Sequence, residues 1–206
     1  MSVDHIVYAV PDLEEGVAAI EQRLGVRAIP GGRHESAGSH NALLGLGGAS
    51  YLEIIAPDPT NPNPPHPRAF NLDEGGRPRL AGWATRTTSI DDLVGHARAA
   101  GYDPGPIQDL SRRRPDGVLL EWRLTRSAAG GEFVLPFVID WGEAQHPSTT
   151  SPQGAVLRRL AIEHPDPDRI ARALTALGVD VEVRAAPKPA LVATIETPSG
   201  ATVDLR

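Results

Sequence analysis

The sequence predicts an α+β protein made of a repeated strand, helix, strand, strand, strand unit (βαβββ), and three observations predict it. Two-residue alternation from Val3 to Val10 runs straight into a capped amphipathic helix, and strand followed by helix recurs from Leu80 and from Val156. Leu24-Gly25-Val26 at the end of the first helix reappears as Leu177-Gly178-Val179 at the end of the third. Each unit is a sheet covered on one face, so its open face must be buried on a neighbour.

In the first strand, Val3, His5, Val7 and Ala9 share one face, and Asp4, Ile6, Tyr8 and Val10 the other. An imidazole thus stands among small apolar residues. Asp12 can accept from the free amides of the next turn, with Glu15 at capping-box spacing, and Leu13, Val17, Ile20 and Leu24 form the helix's apolar stripe before Gly25. Val26 to Ile29 reads as a short strand and Pro30-Gly31-Gly32 as a turn. Asn41 to Leu46 and Ser50 to Ile55 read as strands joined by Gly47-Gly48. Glu53 shares a strand face with Tyr51 and Ile55, and a carboxylate in an apolar strand is costly unless something pairs with it.

The first unit spans 1–57 and is followed by a proline-rich linker or surface loop at 58–79. A second unit covers 80–142. Its strand from Leu80 to Thr88 leads to a helix capped by Ser89, with Asp92 at the third position and Ile90, Leu93, Val94 and Ala97 as the stripe. Ile107 to Arg114, Gly117 to Arg126 and Glu132 to Trp141 are its remaining strands, with Gly130-Gly131 in the place of Gly47-Gly48. After a connector at 143–154, a third and shorter unit covers 155–206. There Asp166 caps, Pro167 takes the first helical position, and Val181 to Arg184, Leu191 to Glu196 and Ala201 to Leu205 are the strands.

Composition narrows the function classes. The 206 residues carry a net charge of -6 with the 20 basic residues dispersed, so nucleic acid and anionic membrane surfaces are not expected partners. Zero cysteines exclude disulfides and thiolate metal sites. The opening residues lack a basic, apolar, small-residue leader and no apolar run reaches about 20 residues, so a cytoplasmic protein is expected. No nucleophile elbow, phosphate-binding loop, dinucleotide fingerprint or His-Glu-x-x-His motif is present.

The runs Asp4 to Leu13 (DHIVYAVPDL), Gly31 to His34 (GGRH), His40 to Leu44 (HNALL) and Tyr51 to Ile55 (YLEII) resemble the vicinal oxygen chelate superfamily, and within it the glyoxalase-like proteins. The resemblance implies paired βαβββ modules whose curved mixed sheets enclose a cavity. It also implies one divalent ion, zinc, manganese, nickel or iron, held by a histidine of the first strand and a glutamate of the last strand from each of two modules. Such an ion acts as a Lewis acid on a substrate with adjacent oxygens. By position His5 and Glu53 are the metal pair of the first module. In the second the matching positions are Gly82 and Pro136, which cannot ligate through a side chain, and in the third they are Arg159 and Asp204 or Leu205. The ligand set is therefore incomplete.

His5 and Glu53 are either that metal pair or a buried pair satisfying each other, with Glu53 also a candidate catalytic base. His34 is a second catalytic candidate, and Asn41, with His40 beside it, lies where it could line the mouth of the same cavity. Trp83, Trp122 and Trp141 are core or a ligand-binding wall, and His146 lies in a connector that could fold over a pocket. Of Arg112, Arg113 and Arg114, alternation sets Arg113 opposite its neighbours. The run reads as a solvated sheet edge, or as a source of one arginine for a ligand carboxylate.

The expected activity is that of a glyoxalase-like protein taking a small organic molecule into its cavity, with lyase or isomerase chemistry on a carbonyl or vicinal-oxygen compound. The alternative is a metal-free binding or sequestering protein with a tryptophan-lined pocket. Half-covered sheets also make a homodimer a candidate assembly.

Overall fold

The computed structural model describes residues 3–114, 116–126 and 132–206. Eight strands form a closed barrel from two βαβββ units: β1 (Val3–Ala9), β2 (Ile29–His34), β3 (Ser39–Gly45) and β4 (Tyr51–Pro57), then β5 (Arg79–Arg86), β6 (Ile107–Arg113), β7 (Leu119–Thr125) and β8 (Phe137–Asp140). Their order around the barrel is β1-β4-β3-β2-β6-β7-β8-β5. Both units repeat one pattern, in which the first strand runs parallel to the fourth. Antiparallel pairing of β1 with β5, and of β2 with β6 at Arg33 and Arg113, closes the ring. The Gly130-Gly131 turn expected before β8 lies outside the described residues.

Helix α1 (Leu13–Leu24) is capped as its sequence dictates, with Asp12 accepting from the Glu15 amide at 2.9 Å and Gly25 left-handed at the far end. It buries Val17, Ile20 and Leu24 on the outer face of the barrel. In α2 (Ile90–Ala99) the expected Ser89 cap makes no side-chain bond to the first turn. Asp140 at the end of β8 accepts from the Ile90 amide at 3.3 Å instead. A partner from another strand replaces the local one.

The third unit has β9 (Val156–His164), α3 (Pro167–Ala176), β10 (Glu182–Ala185), β11 (Ala190–Glu196) and β12 (Thr202–Leu205). Asp166 caps α3 by accepting from the Arg169 amide. Its sheet order, β10-β9-β11-β12, differs from that of the barrel units. One apolar core joins it to the barrel: Ile6, Leu52, Ile54 and Trp83 from the barrel's outer face pack with Ile20, Ile90 and Ile170 of the helices and with Ile162, Leu191 and Ile195. Backbone bonds from Leu157 to the Leu46 carbonyl and from Leu80 to the Arg206 carbonyl, both 2.8 Å, tie the two parts together.

Two smaller apolar groups lie inside the barrel. Leu43, Tyr51, Ala84, Leu120, Trp122, Ile139 and Trp141 fill one end, and Val7, Ala9, Ile55 and Ala81 the other. That second end is closed from within the 58–79 segment, where a 3-10 turn over Ala69–Glu74 lays Phe70 and Leu72 on it. Phe70 has a φ of 59°, rare for a bulky residue, and Arg79 donates to its carbonyl at 2.8 Å.

Two strand expectations are corrected. β2 is Ile29–His34, not Val26 to Ile29, and Pro30-Gly31-Gly32 lies within it, not in a turn. A register shift between Pro30 and Gly32 marks a bulge that absorbs the proline and the paired glycines. β8 is Phe137–Asp140, shorter than the run from Glu132 to Trp141, so Pro136 precedes the strand. No helix among the described residues is long and apolar enough to cross a membrane.

Candidate functional site

A chain of polar side chains crosses the barrel interior between the two apolar groups. It starts on β1, where the ladder to β5 shifts register between Val3 and His5. That irregularity corrects the strict alternation expected of the strand, because Asp4 and His5 both reach the barrel's polar chain and both are buried. His5 Nδ1 donates to Asp4 Oδ1 at 2.7 Å, which leaves Nε2 facing Glu53 Oε2 at 3.8 Å. The His5 ring stacks on Tyr51 at 4.6 Å between centroids and meets the Phe137 ring edgewise at 5.3 Å.

Glu53 comes from β4, parallel to β1, with Tyr51 opposite His5 and Glu53 opposite Val7. Its Oε1 accepts from Asn41 Nδ2 at 2.6 Å, and Asn41 Oδ1 accepts from Arg112 Nη1 at 3.1 Å. Asn41 thus fixes one carboxylate oxygen and leaves the other to face the imidazole. At the far end, Asp4 also accepts from His146 Nε2 at 2.9 Å and from the Trp141 indole at 3.3 Å, with Arg86 Nη1 at 3.5 Å. Burial would raise the Asp4 pKa, but the hydrogen bonds from His146 and His5 outweigh it and hold the carboxyl well below the usual carboxylate range. His146 Nδ1 in turn accepts from the Ser148 amide, so its Nε2 carries the proton.

Arg112 lies within the barrel and not on a solvated edge, because β2 pairs beside β6 and leaves no edge there. Burial lowers its pKa, while Tyr51 and Glu53 oppose that shift. Gly31 explains how β2 passes this point: a Cβ there would lie 2.3 Å from Asn41 Oδ1 and 3.0 Å from Arg112 Nη1. Tyr51 is buried beside Asp4 and Glu53, and burial together with those two charges pushes its phenol pKa up.

Of the residues singled out from sequence, His5, Glu53, Asn41, Trp141 and His146 come together in this chain. Trp122 packs on Trp141 at 5.3 Å between centroids, and His34 lies at the rim with its ring edge toward Trp122 at 6.2 Å. Burial pushes the His34 pKa down to about 4 despite Glu53 nearby, so the ring is neutral at pH 7. Trp83 is elsewhere: it is fully buried in the core outside the barrel, its indole donating to the Val134 carbonyl at 2.7 Å. Alternation turns it away, since it sits between Gly82 and Ala84 on the opposite strand face. His40 likewise points outward, with Asp58 and Arg33 as its electrostatic neighbours.

Sequence reasoning missed Asp4, hidden by the bulge, and left Arg112 unplaced among three arginines. The signal for Arg112 was present in the alternation that separates it from Arg113, but choosing its face required the closed barrel.

The divalent ion implied by the family resemblance would need three or four protein donors. His5 Nε2 and Glu53 Oε2 are two, and no group of three or more His, Cys, Asp or Glu side chains able to hold an ion is found among the described residues. On the second-module side, a Cβ at Gly82 would lie 2.9 Å from Phe70 Cε1, so the space for a side chain there is filled by an aromatic ring. The residues present do not fit a tight divalent site.

A family model described as a glyoxalase-like domain matches residues 3–178. A hypothetical protein from Staphylococcus aureus superposes over 99% of this chain and 98% of its own, with a TM-score of 0.72 at 11% identity. Methylmalonyl-CoA epimerase from Mycobacterium tuberculosis covers 67% of this chain and 86% of its own, with a TM-score of 0.44 at 22% identity. The Streptomyces coelicolor epimerase solved with 2-nitronate-propionyl-CoA covers 71% and 99%, with a TM-score of 0.46 at 21% identity. No curated protein matches the chain.

Proposed function

The chain belongs to the glyoxalase-like family of the vicinal oxygen chelate superfamily, and from that premise we propose that its barrel binds a small organic carbonyl compound and transfers a proton on it, as a lyase or isomerase. The observation that carries this reading is the convergence of Glu53 and His5 inside an apolar barrel, 3.8 Å apart and each held from behind, Glu53 by Asn41 and His5 by Asp4. Groups so restrained need little reorganisation when a reacting carbon is brought up against Glu53 beside His5.

Glu53 is the base. It removes a proton from carbon next to a carbonyl, and the electron pair moves onto the carbonyl oxygen as an enolate. His5, its Nδ1–H fixed on Asp4, offers Nε2 as the atom that exchanges a proton with the ligand. Return of a proton to the same carbon gives epimerisation, return to the neighbouring atom gives isomerisation, and loss of a group from the enolate gives elimination. Tyr51, Phe137 and Trp141 pack around the pair and keep water from it.

The test is solvent deuterium incorporation into a panel of ketones and 2-oxo acids, followed by proton NMR. The wild-type protein should exchange the protons next to the carbonyl of at least one compound, and Glu53→Gln should slow that exchange by roughly 10²- to 10⁴-fold. Exchange that survives Glu53→Gln unchanged overturns the assignment of the base. A second reading, a binding protein without turnover, is favoured by the paired tryptophans Trp122 and Trp141. It would be supported by tight binding with no exchange in the wild-type protein.

A further inference from the structure

Two buried donors inside the barrel have no acceptor among the described residues: Nε of Arg112 and Nε1 of Trp122. The residues are 5% and 8% exposed, so solvent does not satisfy these atoms. Register puts them side by side, since Arg112 pairs with Leu120 and Leu110 with Trp122 on strands β6 and β7. One diagonal step separates them on the same inward face. Buried donors are nearly always paired, and two orphans one step apart call for a shared acceptor.

A cavity of about 250 Å³, just below the usual range for ligand pockets, opens beside Arg112, with Leu43, Leu120 and Arg112 on its inner side and Gln145 and Pro147 of the connector across from them. Arg114 also borders it, but that guanidinium is paired with Asp116 at 2.8 Å and donates to Gln145. Arg112 spends one nitrogen on the neutral Asn41 and makes no salt bridge within 4.0 Å to a described carboxylate. The cavity therefore presents one guanidinium without a carboxylate partner beside the apolar side chains of Ile29, Leu43 and Leu120, and the unpaired Trp122 indole is one diagonal step from that guanidinium.

We propose that Arg112 Nε and Trp122 Nε1 bind the carboxylate of a small monoanionic ligand with an apolar chain. This deepens the reading of the barrel as a small-molecule site and names its ligand class. Held there, the ligand lies on the same hydrogen-bonded chain as the proposed base, with Asn41 as the one link between Arg112 and Glu53. A phosphate dianion suits the site less, because only Arg112 borders it without a carboxylate partner and the Asp116 carboxylate borders it too.

The experiment is calorimetric titration with 2-oxo monocarboxylates of four to eight carbons, each compared with its uncharged amide. The wild-type protein should prefer the acid by roughly 10- to 100-fold. Arg112→Gln should erase that preference, Arg112→Lys should keep part of it, and Trp122→Phe should weaken acid binding several-fold while leaving the amide unchanged. Equal affinity for acid and amide, no binding by any member, or a preference that survives Arg112→Gln overturns the proposal. Should Arg112→Gln fail to fold, Trp122→Phe decides by the same criterion. The two readings separate cleanly: Glu53→Gln should keep the acid preference while losing deuterium exchange. A wild-type protein that prefers acids without exchanging protons sinks the proton-transfer reading alone.

Discussion

Gly31→Ala adds one methyl group and should cost far more than a methyl group usually does. The new Cβ would lie 2.3 Å from Asn41 Oδ1, 2.9 Å from Leu43 Cγ and 3.0 Å from Arg112 Nη1. All three neighbours are side-chain atoms, so the backbone can stay while Asn41 swings away. That movement breaks the 3.1 Å bond from Arg112 and the 2.6 Å bond to Glu53. Overpacking contributes about 1 to 3 kcal/mol, and bonds to charged partners are worth about 1.5 to 3 kcal/mol each, partly recovered by re-pairing. The expected loss is about 2 to 4 kcal/mol, read as a lower urea midpoint at unchanged slope. Gly48→Ala is the control: a Cβ there meets nothing within 4 Å, and only its φ of 56° opposes the change, by about 1 kcal/mol. Asn41→Ala removes the atom struck, so Gly31→Ala should cost less in that background, with a coupling of about 1 kcal/mol or more. Strict additivity, or a Gly31→Ala no worse than Gly48→Ala, would refute the reasoning.

Asp4→Asn keeps the shape of a buried acceptor but removes the charge facing His5, His146 and Arg86, and should destabilise by about 3 to 5 kcal/mol at pH 7 in urea titrations. Because the folded pKa of Asp4 is depressed, its contribution is present above the unfolded carboxyl value of about 4 and fades below it, so the variant should show a flatter acid limb. His34 works over a higher window. With its folded pKa lowered to about 4 against 6.5, the unfolded chain binds more protons between those values, so stability is lost as pH falls from about 6.5 toward 4. At about 1.4 kcal/mol per unit, and allowing for the ring's partial exposure, the wild-type protein should lose about 2 to 3 kcal/mol more than His34→Gln across that window. Parallel pH profiles for the two proteins would contradict it.

Much of this architecture was legible in the chain because local rules and tertiary structure agree. Alternation turned His5 and Glu53 inward, Asp12 and Asp166 announced their helices, and the helix spacings gave the repeat. What stayed hidden depends on contacts between distant segments. The bulge that turns Asp4 inward exists only in the ladder to β5, and Pro30-Gly31-Gly32 reads as a turn until the space its side chains would need is seen to belong to Asn41 and Arg112. Arg112 looks like an edge residue until β2 and β6 close the barrel. Phe70 sits in a stretch with no period, and nothing local shows that it plugs the barrel end. The third unit repeats the element order of the first two but not their sheet order, a difference that strand sequences alone do not encode.

The central claim, that the barrel interior is where the ligand binds, is tested most directly by the three tryptophan indole N–H resonances in a nitrogen-15 NMR titration with a 2-oxo monocarboxylate. Trp122 and Trp141 pack inside the barrel and Trp83 is bonded to Val134 in the core outside it. The account predicts that Trp122 moves most, as its free N–H gains an acceptor, that Trp141 moves less, and that Trp83 stays in place. A titration in which Trp83 shifts while Trp122 and Trp141 remain still would contradict it.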